Sequence, residues 1–257
     1  MNFVRRGICG YKFVEPQLKT LRELGTRLVF DKKEDFKNYG NLLGILNIEV
    51  NTTVVHTLLQ FYDPPMRCFT FQDYQLAPTL EKYSHILGVE IQDQVSFVNT
   101  KEFPKSHHIA EVLYLEKKEV ELNLKLKGET HGFSLNFMVD KVTTFTDAGS
   151  WDAFNSILSL LINGIMFLPN MKDFIDLASI HIFMTKNLVP TLLANTYYFI
   201  HVMNQKKKGT IVCYVPMLYT WFMSHLPSKG PFVENKGSCK WSQRIMSLTT
   251  EDILWYS

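Results

Sequence analysis

Residues Gln60–Gly88 read QFYDPPMRCFTFQDYQLAPTLEKYSHILG, and their punctuation decides the fold class. Asp63-Pro64-Pro65 stops whatever precedes it, because two prolines withdraw two backbone donors and turn Asp63 away from the helical region. Cys68-Phe69-Thr70-Phe71 is aromatic and β-branched, which predicts a short strand. Gln72-Asp73 makes a turn, and Tyr74-Gln75-Leu76 pairs back as a second strand. Pro78 suits a first helical turn, Thr79 can cap it, and Glu81 sits where the helix dipole favours an anion. Leu80, Tyr83, Ile86 and Leu87 then share one face, and Gly88 ends the helix. The order is helix, stop, small hairpin, helix, and none of it is catalytic chemistry.

Working outward, the same signals predict helices on both sides. Upstream, residues 15–24, Lys32–Leu46 and a segment capped by Asn51-Thr52 carry apolar residues at helical spacing. Downstream, residues 89–106 read as a flexible connection around Pro104. Glu116–Lys127 alternates charged and apolar residues like a strand but is built of good helix formers, and propensity favours a helix. Phe133–Phe145, Trp151–Leu168, Phe174–Met184, Pro190–Gln205, Pro216–Leu226 and Lys240–Ser247 follow as helices. The expectation is a mainly α, multi-helix single domain over 1–257 with one small β-hairpin near 68–76.

Composition limits the function classes. The 257 residues are 46% hydrophobic and 20% charged with net charge +2, an ordinary globular balance that neither demands nor excludes nucleic acid. Cys9, Cys68, Cys213 and Cys239 lie far apart, with no C-x-x-C pair, so they read as reduced thiols of an intracellular protein. The apolar run Ile157–Leu168 holds Asn163 and Gly164 and is too short for a bilayer span of about 20 residues, so it reads as a buried core helix and no membrane partner is expected. Histidines lack metal-ligand spacing, and no phosphate loop, nucleophile elbow or H-E-x-x-H is present. Asp63, Asp73, Glu81, Asp140, Asp152, Asp173 and Asp176 could in principle gather a metal-dependent nuclease site, but such sites need more strands than one hairpin supplies. No cofactor, metal, catalytic residue or small-molecule substrate is expected.

The segment from Lys206 to Arg244 holds seven basic residues and one acidic residue, with Tyr214, Tyr219, Trp221, Phe222, Phe232 and Trp241 interleaved. Stacking plus phosphate contact needs that mixture. Lys206, Lys207, Lys208, Lys236, Lys240 and Arg244 are therefore the candidate contacts with nucleic acid or a partner. The plainer reading, which the low net charge favours, makes the aromatics core and the lysines solvated ends. Trp241, Ile245, Leu248, Ile253, Leu254 and Trp255 form a dense apolar series, in which Trp255 and Tyr256 are expected to lie partly exposed and to favour self-association.

CFTFQDYQLAPTLEKYSHILG resembles the core signature of the plant mobile domain family, and NGIMFLPNMKDFIDLASIHIF, NLVPTLLANTYYFIH, KKKGTIVCYVPMLYTWFMSHLP and KWSQRIMSLTTEDILWYS are similar to one legume-type subgroup. The resemblance runs from about Leu21 to Ser257. It implies a mostly helical domain that travels with transposable elements, and family members that act in the nucleus in silencing them. It carries over no catalytic residue. It also implies a chain cut short at its C-terminus. The expected function is a non-enzymatic, transposon-derived module that binds protein or nucleic acid partners in the nucleus. The alternatives are a degenerate transposition-related nuclease or hydrolase, and a remnant without function.

Overall fold

The computed structural model describes residues 10–13, 18–28, 30–91, 103–206, 208–211, 215–237 and 239–255. The fold is mainly α, with short strands inserted between helices. The expectation of one domain over 1–257 meets a chain whose described residues gather into two compact units. The first draws on Met1–Val14, Glu49–Ile86 and Leu193–Ser257, the second on Glu15–Ile48 and Leu87–Leu192.

The first unit contains the hairpin. Helix Thr52–Leu59 starts where Asn51 Oδ1 accepts from the Thr53 N–H at 3.1 Å, the cap that Asn51-Thr52 predicts. Strands Cys68–Thr70 and Gln75–Leu76 pair antiparallel, with Phe69 opposite Leu76 and Thr70 opposite Gln75. Tyr62–Asp63 adds a third strand on the other edge, so the prolines of the stop do not end the structure but turn it into the sheet. Buried Phe69 meets Trp221 of helix Val215–Ser224 at a ring separation of 5.5 Å. Helix Trp241–Met246 packs on helix Thr52–Leu59. Polar contacts among side chains and backbone hold further pieces together. Tyr83 Oη and Thr196 Oγ1 lie 3.2 Å apart, and Tyr197 Oη donates to the Pro78 carbonyl at 2.8 Å, its phenol pushed up to about 12 chiefly by burial. Strand Gly10–Phe13 pairs parallel with Lys208–Ile211.

His225, buried in the same unit, holds the chain at Leu254. Its Nδ1 donates to the Leu254 carbonyl at 2.9 Å, and the Leu254 N–H returns a bond to the His225 carbonyl at 3.0 Å. Burial holds this imidazole below its ordinary range, Lys82 adds to the effect, and the Leu254 bond opposes it. The folded chain therefore keeps His225 neutral where the unfolded chain would protonate it. Stability is complete above the unfolded value of about 6.5 and declines as pH falls through it toward the lower folded value. Burial shifts His56 in the same direction. Urea midpoints measured from pH 7.5 to 5.5 should fall, and His225→Gln should flatten that slope; an unchanged slope in the variant would refute the assignment.

The second unit is built on helix Trp151–Leu161, which runs into a π-helical turn, Ile162–Phe167. Residues 153–168 are all buried, including Ile157, Leu160, Leu161, Ile165 and Phe167, as the apolar run predicts. Helices Lys19–Thr26, Ser106–Leu113, Leu135–Asp147 and Leu177–Met184 pack against Trp151–Leu161. A second antiparallel sheet joins Lys125–Lys127, Thr130–Ser134 and Phe174–Asp176. Here the helical reading of Glu116–Lys127 holds only for Lys117–Asn123, and the alternation wins at Lys125–Lys127. Phe133 and Phe174 are likewise strand residues, opposite Ile175 and Ser134. The helices after them begin at caps: Ser134 Oγ accepts from Phe137 N–H at 3.3 Å, and Asp176 Oδ1 from Ser179 N–H at 2.8 Å. Gly164 is the point of closest approach. A Cβ there would lie 2.7 Å from Ile175 Cγ2, so only glycine lets the π-turn sit on the strand.

The connection expected over 89–106 lies mostly outside the described residues. No described helix is long and apolar enough to cross a membrane.

Candidate binding cleft

A cavity of about 870 Å³ opens within the second unit. Four parts of the chain build it. Asn38, Tyr39 and Leu42 flank the break at Gly40, which divides the helical run expected over Lys32–Leu46. Gly40 has φ +90°, a Cβ on it would run into the Leu87 carbonyl, and the next residue, Asn41, donates its N–H to that carbonyl at 2.6 Å. Gly88 to Ile91 form the second part, Glu111, Val112 and Tyr114 the third. The fourth is the core itself: Ser156, Ser159 and Asn163 from below, with Ile182–Met184, Lys186, Leu188 and Val189 beside them.

Two lining residues hold a backbone conformation that side chains rarely adopt. Tyr114 has φ +56° and Lys186 φ +54°. Each follows a helix, Ser106–Leu113 and Leu177–Met184, and each end closes in the same way. The Leu115 N–H bonds back to Ala110 at 2.9 Å, and the Asn187 N–H to Ile182 at 3.1 Å. That is the Schellman ending, in which glycine is the usual left-handed residue. A bulky residue there costs roughly 1–2 kcal/mol. Tyr114 is nevertheless 56% exposed, so packing does not repay its strain. Residues strained without a packing reason concentrate at functional sites.

The floor is polar. Asn163 is only 6% exposed, and its Oδ1 has no hydrogen-bond partner. It sits in the π-turn, a deviation that adds a residue to a helical turn and is frequent at functional sites. The two serines are engaged with backbone: Ser156 Oγ donates to the Val112 carbonyl at 2.6 Å, and Ser159 Oγ to the Asn155 carbonyl at 2.8 Å. The Tyr39 phenol is pushed up by burial, with Tyr114 and Asp152 adding and Ser156 opposing. It remains a neutral donor. Among the described lining residues there is no histidine or cysteine.

The basic residues singled out in the sequence are not at this cleft. Lys206 ends helix Leu188–Lys206, Lys207 lies outside the described residues, and Lys208 begins a strand. Lys236 and Lys240 are exposed on the first unit. Arg244 differs from a cation offered to a partner: it is 4% exposed, its Nε donates to the Phe232 carbonyl at 2.9 Å, and its guanidinium lies 4.2 Å from the ring centres of Phe232 and Trp241. Trp221, Phe222 and Phe232 are core. In the C-terminal apolar series Ile245, Leu248 and Ile253 are buried, while Leu254 and Trp255 are 43% and 40% exposed; Tyr256 lies outside the described residues. The acidic candidates stand apart as well. Asp176 is a helix cap, Asp73 accepts from the Thr250 N–H at 3.2 Å, and among the described residues no three His, Cys, Asp or Glu side chains gather where they could hold a metal ion. Of the described cysteines, Cys68 is buried and Cys239 exposed, both as thiols.

A family model described as Domain of unknown function (DUF7745) matches residues 21–257. The chain belongs to the DUF7745 family. Every cleft residue falls inside the DUF7745 match. No curated protein and no solved structure matches the chain.

Reading the sequence for motifs passes over Asn163, Tyr114 and Lys186, because none belongs to one. The available signals are subtler: a polar residue inside the apolar run ILSLLINGIMFL, and two helices that end without a glycine.

Proposed function

We propose that this chain is a non-enzymatic interaction module that takes a protein partner at the cleft of its second unit. The observation that carries the reading is the cleft's floor and rim: a buried, unpartnered Asn163 below, and Tyr114 held in a strained conformation while exposed above. Its two lining serines donate to backbone carbonyls, which leaves no activated nucleophile of that type there and favours binding over catalysis. Glu90 and Glu111 in the lining disfavour a phosphate backbone, which favours protein over nucleic acid at this site. The resemblance to plant mobile domain sequences supports a transposon-derived origin and a nuclear setting.

The test is a pull-down from plant nuclear extract, with and without nuclease, using the chain and its Tyr114→Gly variant. Glycine suits a φ of +56°, so the variant should melt no lower than the parent while it removes the exposed ring. Protein capture should survive nuclease and weaken in the variant. Capture lost to nuclease would mean that nucleic acid holds the partner, and capture untouched by Tyr114→Gly would place the interaction elsewhere.

A further inference from the structure

We infer that Arg244 is the fixed donor of an oxyanion site on the first unit, one that takes a carboxylate or phosphate group borne by a protein partner. The site is independent of the cleft and stands whether or not the cleft binds.

Arg244 is a buried cation without an anion. The residue is 4% exposed, yet the ion pairs among the described residues all join other side chains. Taking a charge out of water is costly unless an opposite charge or hydrogen bonds offset it. The rings of Phe232 and Trp241, each centred 4.2 Å from the guanidinium carbon, offset part of the cost by cation–π attraction. They do nothing for the N–H groups. A guanidinium carries donors on every nitrogen. Nε is used, donating to the Phe232 carbonyl at 2.9 Å. The terminal nitrogens have no protein acceptor, and neither is closed off from solvent.

The same contacts hold the group still. With Nε anchored and two rings against it, the guanidinium does not reach out as a surface lysine does; a ligand must come to its terminal nitrogens. A carboxylate or phosphate accepts paired N–H bonds from such a fork. A fork held in place beforehand loses little freedom on binding. Charge around it favours an anion. From Pro227 to Arg244 the chain has Lys229, Lys236, Lys240 and Arg244 against Glu234 alone. The Arg244 N–H bonds to the Lys240 carbonyl at 3.0 Å, which sets exposed Lys240 one turn away.

The surroundings select a protein as the bearer of that anion. Helices Pro231–Glu234 and Trp241–Met246 expose Val233 and Met246, apolar contact that a peptide uses and a free ion does not. A nucleic acid needs open ring faces for its bases and a track of cations. Here Phe232 is core and Trp241 already has the guanidinium against it.

The experiment follows the Arg244 Nε–Hε resonance of the whole chain by NMR. The titrants are acetate, inorganic phosphate, and peptides identical except for a central glutamate, phosphoserine or serine, with sodium chloride at equal ionic strength as control. The glutamate and phosphoserine peptides should shift the signal saturably and bind more tightly than the free ions, and the tighter of the two names the group. The serine peptide should leave the signal in place. Arg244→Lys keeps the charge but loses the fork, and should weaken both charged peptides about tenfold or more. Lys240→Gln should weaken them about two- to fivefold. Its melting temperature should not change, because Lys240 starts its helix through its backbone N–H, bonded to Gln243 Oε1 at 3.0 Å. If Arg244→Lys does not fold, the parent resonance and Lys240→Gln decide. A signal that no oxyanion moves beyond the chloride control would overturn the inference, as would a serine peptide that binds like the charged ones. Free ions as tight as the peptides, or a short oligothymidylate tighter than both, would overturn the protein source.

Discussion

Replacing Trp221 by alanine should destabilise the first unit by about 3–5 kcal/mol, the usual cost of removing a large aromatic from a core. Trp221 is fully buried. Its ring lies 5.5 Å from Phe69, 6.4 Å from Phe222 and 5.4 Å from His225, so it joins the hairpin to the helix that carries it and to the residue that holds Leu254. Truncation would leave a void that close-packed neighbours cannot fully close. The indole N–H makes the prediction sharper, because it is buried without a hydrogen-bond partner. Trp221→Phe should therefore cost much less than alanine. It keeps an aromatic ring and relieves an unpaired donor, an offset of about 1–3 kcal/mol. Hydrogen exchange at the amides of Val215–Ser224 would read both variants. Equal losses for alanine and phenylalanine would mean that the indole N–H matters and has a partner.

The elements that the sequence made legible are those with local punctuation. Asn51 before Thr52, the paired prolines at Pro64-Pro65, the aromatic and β-branched run Cys68–Phe71 with its turn at Gln72-Asp73, and Gly88 after Leu87 each determine their neighbours within a few residues. The aromatics between Lys206 and Arg244 also behave as low net charge implies: Trp221 and Phe222 are core. The second sheet was not legible, because its partners are distant. Gly132 pairs with Asp176 and Phe133 with Ile175, more than forty residues on, and nothing near Phe133 distinguishes a buried strand from a helix start. Gly40 and Gly164 were visible as glycines, but what they approach, Leu87 and Ile175, is settled by tertiary packing. The cleft was least legible of all. Tyr114 and Lys186 violate the glycine preference of their positions, and sequence rules applied consistently place no left-handed residue there.

Leu161→Ala should cost about 2–5 kcal/mol, the range for removing a leucine from a closed core. Leu161 is the last residue of helix Trp151–Leu161 and is fully buried, as are Leu160 before it and Ile162 after it. The helices around it limit how far the site can collapse, since Lys19–Thr26, Ser106–Leu113, Leu135–Asp147 and Leu177–Met184 all pack on the same core helix. The value belongs in the upper half of the range for that reason, since a cavity that cannot relax adds its own cost to the lost transfer energy. Two residues on, at Asn163, the opposite sign is expected, because leucine there exchanges an unpaired acceptor for apolar contact. Urea unfolding of the two variants side by side makes the comparison internal. A loss below about 1 kcal/mol for Leu161→Ala would mean that the run Ile157–Leu168 is a surface rather than a core. Losses of similar size at both positions would mean that Asn163 is held by the fold and not left open by it.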